Sequence, residues 1–475
     1  MRHGTGDDMW ATGIGALIVA AAALAAAPLH LGAQSDVQVK QYDTGEVYEG
    51  QFREGRQEGM GTLTRPDGFR YTGEFREGRI EGRGVANYAD GSVYEGDFVA
   101  GRPHGTGKIV FADGGSYEGE WIEGRIEGTG RATYPDGSVY EGRFVAAKPE
   151  GEGVLTRPDG YRYEGGFLDR LPHGTGKAVY PDGSVYEGEM AAGLREGTGK
   201  IVLPDGFAYE GRWKGGKFEG EGRAVQPNGD VYVGQFRDGL REGVGRAEYA
   251  DGSVYEGEFL ADRRHGRGRF TAPDGFSFEG DWVEGRIEGE GVARYADGSV
   301  HEGSFVDGAP HGPGKVTYAD GGTYEGGWAE GRIEGEGVAV YANGARYEGS
   351  FKAGRYHGRG RLAYPDGYSY EGDWVEGVQE GTGRTTFPDG SVYEGGFAGG
   401  LRHGRGRIQM PDGFVYEGDW SEGEIDGEGV ATYATGDVYT GQFRSGRRHG
   451  EGKMVYADGA VFEGRWVDGR PGDGG

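Results

Sequence analysis

The sequence contains no cysteine and is poor in basic residues. The absence of cysteine excludes disulfides, thiol nucleophiles, cysteine-ligated zinc and attachment of a lipid to an N-terminal cysteine. Only 51 Lys and Arg residues stand against 78 Asp and Glu residues, so the formal net charge is −27. Because nucleic acid is bound by clustered positive charge that displaces counterions, this balance argues against nucleic acid as a partner.

Glycine is abundant, at 105 of 475 residues, but no Gly-X-Y period is present, which excludes collagen. After residue 36 no change of composition separates one stretch of the chain from the next. We therefore expect residues 36–475 to form one continuous array of similar units rather than several globular domains.

Residues 1–35 differ from the rest of the chain. An apolar stretch from Ala11 to Ala27 is followed by small residues that end at Ala33. This pattern predicts a secretory signal cleaved near Ala33 or Gln34. The alternative is an uncleaved membrane anchor within residues 9–31, although the segment is short and rich in alanine. With either reading we expect the protein to be exported, to the periplasm, the cell envelope or the medium.

The rest of the chain repeats every 23 residues. The repeat can be counted from an anchor, the Tyr of "YEG", which recurs nineteen times from Tyr48 to Phe462 without an insertion. Counting from the anchor, complete units have Gly at offsets +2, +11, +13 and +20, and Phe or Trp at +4, with Met190 as the exception. Such regularity indicates a repeat protein.

The sequence pattern of each unit predicts a β-hairpin. In "YEGEWIEGRIEGTGRATYPDGSV" (117–139), alternation places Tyr117, Gly119 and Trp121 on one face of the first strand. A glycine-containing loop leads to the second strand, and "PDG" is typical of a tight turn into the next unit. Three units have Ala147, Arg170 or Asp262 where the others have Gly at +7, so we expect their first loop to take another shape.

This unit resembles the MORN (membrane occupation and recognition nexus) repeat, and the resemblance extends over about residues 38–475. It implies an all-β fold, an elongated single-layer antiparallel sheet of stacked hairpins. It also implies protein–protein scaffolding and lipid contact at membranes as functions. No cofactor is implied.

The aromatic residues are expected to pack first of all. A lone hairpin is marginally stable, so each unit must bury its rings against its neighbours. Gly at +2 and +13 would let a ring lie flat on the backbone. Large and small residues at +15 alternate with a period of two units, and this alternation slips between Tyr209 and Tyr232, where Ala224 is followed by Ala247. The slip predicts either a bend or an altered groove, or else a duplication scar without consequence.

Charged residues give no catalytic or metal-binding pattern. Glu at +1 and basic residues at +14 predict a ladder of solvated ion pairs. Histidines at +10, such as His265 and His311, lie 46 residues apart, too far to share one ion, and favour a structural role in the loop. Asp at +19 lacks the spacing of a calcium loop. We therefore predict no enzyme, no metal and no cofactor.

The function predicted is that of a scaffold of the cell envelope. An aromatic groove with a glycine floor would bind a segment of a partner protein or a second copy of the chain. Phospholipid association is the first alternative. Carbohydrate binding is the second and requires Trp328 or Trp374 to be exposed. The candidate interaction face consists of Tyr324, Trp328, Tyr341, Tyr347, Phe351, Tyr364, Tyr370, Trp374, Phe387 and Tyr393.

Overall fold

A computed structural model describes residues 37–472. The chain divides into a first unit that ends at Gly128 and a second unit that begins at Thr129. The predicted signal or anchor in residues 1–35 lies outside the described residues. Within residues 37–472, no helix is long and apolar enough to span a bilayer.

Strands account for nearly all regular structure in the described residues. Those of the first unit are β1 Gln38–Gln41, β2 Val47–Arg53, β3 Arg56–Thr64, β4 Arg70–Arg76, β5 Arg79–Asn87, β6 Val93–Val99, β7 Arg102–Val110 and β8 Ser116–Ile122. The division between the units falls within β9, Arg125–Thr133.

The second unit contains thirty further strands, of which the last has two residues and the others seven or nine. They are β10 Val139–Val145, β11 Lys148–Thr156, β12 Arg162–Leu168, β13 Leu171–Val179, β14 Val185–Ala191, β15 Leu194–Val202, β16 Ala208–Lys214, β17 Lys217–Val225, β18 Val231–Arg237, β19 Leu240–Glu248, β20 Val254–Leu260, β21 Arg263–Thr271, β22 Ser277–Val283, β23 Arg286–Arg294, β24 Val300–Val306, β25 Ala309–Thr317, β26 Thr323–Ala329, β27 Arg332–Val340, β28 Arg346–Lys352, β29 Arg355–Ala363, β30 Ser369–Val375, β31 Val378–Thr386, β32 Val392–Ala398, β33 Leu401–Gln409, β34 Val415–Ser421, β35 Glu424–Thr432, β36 Val438–Arg444, β37 Arg447–Val455, β38 Val461–Val467 and β39 Arg470–Pro471.

Within each unit every strand pairs antiparallel with the next one in chain order, which confirms the predicted fold class. The register repeats from hairpin to hairpin. In β28 and β29, Tyr347 lies opposite Leu362 and Gly349 opposite Gly360, and a bulge follows Gly349. The glycines at +2 and +13 are therefore direct cross-strand partners, and the floor under each anchor ring consists of backbone alone.

The predicted "PDG" turn is confirmed. In the turn after β29, the Gly367 N–H donates to the Tyr364 carbonyl at 3.1 Å, and Gly367 has φ +96°. The Asp366 carboxylate accepts the Tyr368 N–H at 2.9 Å and so closes the turn with its side chain.

The expectation that three of the 23-residue repeats form a different first loop is wrong. Ala147, Arg170 and Asp262 adopt φ values of 62°, 73° and 68°, in the left-handed region that Gly occupies at +7 elsewhere. Arg170 and Asp262 also donate their backbone N–H to the carbonyl at +9 of the preceding repeat, as the glycines at +7 of other repeats do. Strand pairing on both sides and this hydrogen bond impose the loop conformation on residues that do not favour it.

The anchor rings form the core, as predicted. Tyr347 is fully buried and meets Phe351 of its own hairpin and Trp374 of the next, at centroid distances of 4.9 and 5.8 Å in edge-to-face geometry. Its hydroxyl donates to the Ser350 carbonyl at 2.9 Å. Burial raises the pKa of these phenols, for example that of Tyr393 to about 12. The core is thus a row of rings, and each anchor ring is covered partly by its own hairpin and partly by the next hairpin.

Candidate binding surfaces

The structure separates the ten residues of the candidate interaction face into core and surface. Six are buried and hence inaccessible to a partner, because they pack edge to face with one another: Tyr324, Tyr347, Phe351, Tyr370, Trp374 and Tyr393. Trp328 and Phe387 are partly buried. Tyr341 and Tyr364 are 41 % and 39 % exposed. A partner can reach these last two rings, not the anchors.

The predicted aromatic groove with a glycine floor turns out to be two surfaces on opposite faces of the sheet. On the core face, a Cβ placed on Gly360 or Gly383 would run into the ring of Tyr347 or Tyr370. The anchor rings therefore cover the glycines on this face, and the glycine backbone is open only on the other face.

The core face carries a cleft that we call the aromatic cleft. It is formed by the residues at +4, +9, +17 and +21 of successive repeats. In the second unit it contains a cavity of about 680 Å³ lined by Tyr180, Arg195, Leu203, Phe207, Trp213 and Phe218 among others. A cavity of about 520 Å³ in the first unit is lined at equivalent positions by Phe69, Phe75, Ile80 and Tyr88.

The larger cavity lies at the slip in the two-unit period. Its lining extends from Tyr180 to Gly239, and the slip falls between Tyr209 and Tyr232. Phe218, at +9, stacks on Tyr209 with a centroid distance of 3.8 Å. The cavity therefore lies at the slip, for which the sequence predicts a bend or an altered groove.

Arginines at +9 stack on the tryptophan of the following repeat. The guanidinium carbons of Arg195, Arg264, Arg402 and Arg448 lie 4.4, 4.4, 4.2 and 4.3 Å from the ring centroids of Trp213, Trp282, Trp420 and Trp466. Burial lowers the pKa of Arg402 from its ordinary value. None of the four forms an ion pair with a carboxylate among the described residues, whereas Arg241 pairs with Asp262 at 3.1 Å.

Sequence reasoning missed these arginines because it examined offsets +1, +10 and +14 for charge. The signal was present in the chain, since each of the four precedes a Trp at +4 of the next repeat by 18 residues. Only the hairpin register shows that this separation brings the two side chains together.

The opposite face carries the predicted ion-pair ladder, which the structure confirms. Lys177 and Glu187 lie 2.6 Å apart, and Arg131 and Glu141 lie 2.7 Å apart, each across neighbouring strands. Side chains of the ladder, such as Lys108 and Glu118 in the first unit and Glu187 in the second, flank the open glycine backbone in grooves of about 900 Å³ in each unit. Exposed pairs of this kind contribute a few tenths of a kcal/mol each, and they make this face polar.

The residues at +10 cap the loop of the next repeat. Carboxylates at this offset accept the N–H of the residue at +6, as Glu334 does from Ala353 at 2.9 Å. His104 Nδ1 accepts the Glu123 N–H at 3.4 Å in the same way. His265, His357 and His449 form no such hydrogen bond, because their buried Nδ1 atoms have no partner, so the capping role is shown for the carboxylates and for His104. Among the described residues no group of three or more His, Asp or Glu residues could hold a metal.

One anchor departs from the pattern. His301 is 1 % exposed, and neither of its ring nitrogens has a hydrogen-bond partner. The neighbouring Trp328 Nε1 also lacks one, whereas Trp374 Nε1 donates to the Gly360 carbonyl at 3.1 Å. Burial lowers the pKa of His301, partly offset by the charge of Glu302.

Comparison with known proteins gives one strong result. The model of the family described as "MORN repeat" matches 18 consecutive segments: 48–70, 71–93, 94–116, 117–139, 140–160, 163–185, 186–207, 209–231, 232–254, 255–276, 278–300, 301–323, 324–346, 347–367, 370–392, 393–415, 416–438 and 439–461. A search of curated protein sequences found no match.

Solved structures are similar only weakly. The SAS-4 (dCPAP) TCP domain of Drosophila melanogaster, in complex with a proline-rich motif of Ana2, is 14 % identical, with 37 % of this chain and 90 % of that chain covered and a TM-score of 0.23. The TCP10 domain of Danio rerio CPAP with a STIL peptide is 13 % identical, with 80 % and 97 % covered and a TM-score of 0.10. For virginiamycin B lyase of Staphylococcus aureus the values are 11 %, 75 %, 92 % and 0.11. These TM-scores are too low to support an argument.

Proposed function

Because the chain belongs to the MORN repeat family, we propose that it is a non-enzymatic scaffold of the cell envelope that binds a segment of another protein in its aromatic cleft. The observation that carries the proposal is the repeated cleft on the core face, with partly exposed rings above a rigid row of buried ones. A concave, mostly apolar surface with a few polar groups is typical of a binding site.

The two faces of the sheet support different roles. The ladder face presents alternating charges that already pair with one another, so it has little to offer a partner. Tyr341 and Tyr364 instead present rings at +17 on the rim of the cleft. Aromatic side chains of this kind, held by a stable scaffold, are favoured at interfaces since they lose little conformational entropy on binding.

Site-specific crosslinking tests the proposed surface. A photoreactive phenylalanine derivative placed at Tyr364 should form a crosslink to a protein in cells, and the same group at Glu371, on the ladder face, should not. Crosslinking at both positions alike, or at neither, would contradict the proposal. A crosslink to a second copy of the chain would identify self-association through the same cleft.

The envelope location rests on the N-terminal sequence and is tested separately. Residues 1–36 fused to alkaline phosphatase, which is active only after export, should give active enzyme in a bacterial host. Inactive enzyme would contradict export. Cleavage of the fusion would distinguish a signal from an anchor.

The structure is less favourable to carbohydrate binding than to phospholipid association. Carbohydrate stacking required an exposed Trp, but Trp374 is 4 % exposed and Trp328 is partly buried beneath its neighbours. Phospholipid association is tested by flotation with neutral and anionic vesicles. Flotation that survives high salt would favour insertion of apolar groups over attraction by charge.

A further inference from the structure

The aromatic cleft contains guanidinium groups that the protein itself does not neutralise. Arg402 and Arg448 are the two that lie nearest each other in the chain among the four that stack on Trp. The chain has 27 more acidic than basic residues, and exposed carboxylates pair with other arginines at many places. The lack of a carboxylate partner at these two positions therefore does not come from a shortage of acid.

Both guanidinium groups are held in place with donors to spare. Arg402 Nη2 donates to the Gly423 carbonyl at 2.7 Å, and Arg448 Nη2 donates to the Gly469 carbonyl at 2.8 Å. A guanidinium has five N–H donors, and no nitrogen of either side chain is buried without a partner. The remaining donors therefore reach the open side of the cleft, fixed by the ring beneath and the carbonyl beside them.

The distance between the two groups follows from the strand register. Arg402 lies in β33 and Arg448 in β37, four strands further along the second unit. At about 4.8 Å per strand the separation is roughly 19 Å, which an extended chain covers in about six residues. Between them lie the partly buried side chains of Ile425, Phe414 and Tyr433.

We propose that this part of the cleft binds an extended protein segment that carries two carboxylates about six residues apart, with apolar side chains between them. The inference rests on the proposed function and names the chemistry of the partner. Charge complementarity selects the segment: each carboxylate meets a preorganised guanidinium in a partly apolar setting, where such hydrogen bonds are strongest. The intervening apolar side chains cover Ile425 and the rings beside it.

One acidic residue, Asp437, lies near Arg448 but does not pair with it. Its carboxylate influences Arg448 electrostatically, but it is committed to the Ala457 N–H at 2.8 Å and the Thr435 hydroxyl at 2.8 Å. It forms no ion pair with Arg448, whose donors stay available. The guanidinium of Arg402 has no such acidic neighbour among its contacts.

Peptide binding to the full chain tests the inference, with fluorescence anisotropy as the readout in about 150 mM salt. The probe is a fluorescein-labelled peptide GELPLPLEG, whose glutamates are six residues apart. Comparison peptides carry glutamine in place of both glutamates, or glutamates three residues apart. We expect the probe to bind about tenfold or more tightly than either comparison peptide.

Variants of the protein locate the site. Arg402→Gln and Arg448→Gln should each weaken binding of the probe about tenfold, and the double variant should bind the glutamate and glutamine peptides equally. Arg241→Gln is the matched control, because Arg241 already pairs with Asp262. It should leave the affinity unchanged. Unchanged circular dichroism and melting temperature would show that the variants keep their fold.

Several results would overturn the inference. They are equal affinity for the glutamate and glutamine peptides, an equal loss for Arg241→Gln and Arg402→Gln, or no binding of the probe. Tight binding of the glutamine peptide that blocks the crosslink from Tyr364 would leave the proposed function standing while removing its acidic partner. Flotation with anionic vesicles that depends on Arg402 and Arg448, without peptide binding, would replace the protein segment by a lipid surface.

Discussion

Replacement of His301 by tyrosine should stabilise the array, although it adds a large side chain to a fully buried position. In most other hairpins a Tyr at this offset fits over the two facing glycines, and both glycines, Gly303 and Gly314, are retained here. The backbone is therefore already shaped for the larger ring. His301→Tyr restores the side chain for which the surroundings are built.

The expected gain has two parts. The new hydroxyl can donate to the Ser304 carbonyl, as Tyr347 does to Ser350, and such a bond contributes about 1 kcal/mol. Removal of an imidazole with two unpaired buried nitrogens removes a cost of about 1–3 kcal/mol. We expect the free energy of local opening to rise by about 3 kcal/mol at neutral pH, which slows amide exchange about a hundredfold.

The gain should increase in acid. The pKa of His301 is lowered in the folded state because burial disfavours the charged form. As the pH falls below the ordinary histidine pKa of about 6.5, the unfolded state binds a proton that the folded state does not bind. The wild type therefore loses stability between that pH and its lower folded pKa, and His301→Tyr abolishes this loss.

The groups around His301 do not supply a compensating negative charge on the core face. Its cross-strand partners are Ala293 and Val316, and the rings that touch it are those of Phe305 and Trp328. Glu302 points to the other face and raises the pKa only as the smaller effect. An imidazolium would thus have no ion-pair partner in the core.

Hydrogen exchange followed by mass spectrometry measures the effect hairpin by hairpin, which suits an array whose unfolding need not be two-state. Protection of residues 300–317 is compared at about pH 7.5 and pH 5.5, after correction for intrinsic rates. Phe278→Tyr is the matched control, since Phe278 is also a buried anchor without a hydroxyl. It should gain about 1 kcal/mol, without pH dependence. Equal pH dependence in the wild type and in His301→Tyr would refute the reasoning.

Three further predictions concern packing and capping. Gly360→Ala should cost about 2–3 kcal/mol in local exchange, since its Cβ would meet the Tyr347 ring, whereas the exposed change Glu348→Ala should cost little. Glu334→Ala should cost about 1 kcal/mol because the Ala353 N–H loses its acceptor, and a cost no larger than that of Glu348→Ala would contradict the capping role. Acrylamide should quench the tryptophan emission weakly, and strong quenching that persists in the double variant Trp10→Phe, Trp328→Phe would show that the other described tryptophans are not buried.

The period and the alternation of side chains made the fold predictable. Gly at +2 and +13 and rings at the anchor and at +4 share one face of a two-residue alternation, and nineteen copies in register leave one way to pair them. The ion-pair ladder follows from the same parity. Which rings a partner can reach did not follow, because each anchor is covered by rings from two hairpins, and this depends on how the rings tilt.

Features that depend on a neighbouring hairpin escaped prediction. The first loop at Arg170 keeps the common conformation because a backbone hydrogen bond to the preceding hairpin holds it, against the preference of its own residue. The stacking of Arg402 on Trp420 likewise joins residues of different repeats. The sequence of a single 23-residue repeat shows neither contact, since both lie at the interface between neighbouring repeats.

The residues at +10 show how one loop can be held by two kinds of side chain. A neutral imidazole can accept the N–H at +6 of the next repeat through Nδ1, as His104 does, but a protonated one cannot. Six of the seven histidines at +10 precede an acidic residue at that +6 position: Glu123, Glu284, Glu330, Glu376, Glu422 and Asp468.

The acidic residue at +6 can also contact the histidine directly. His449 Nδ1 lies 3.7 Å from the Asp468 carboxylate, close enough for an ion pair when the imidazole is charged. The hydrogen bond of His104 and the contact of His449 with Asp468 are thus two ways in which a histidine at +10 meets the loop of the next repeat. His301 differs from both because it is buried in the core without a hydrogen bond or an ion pair, and it is the position at which acid should open the array.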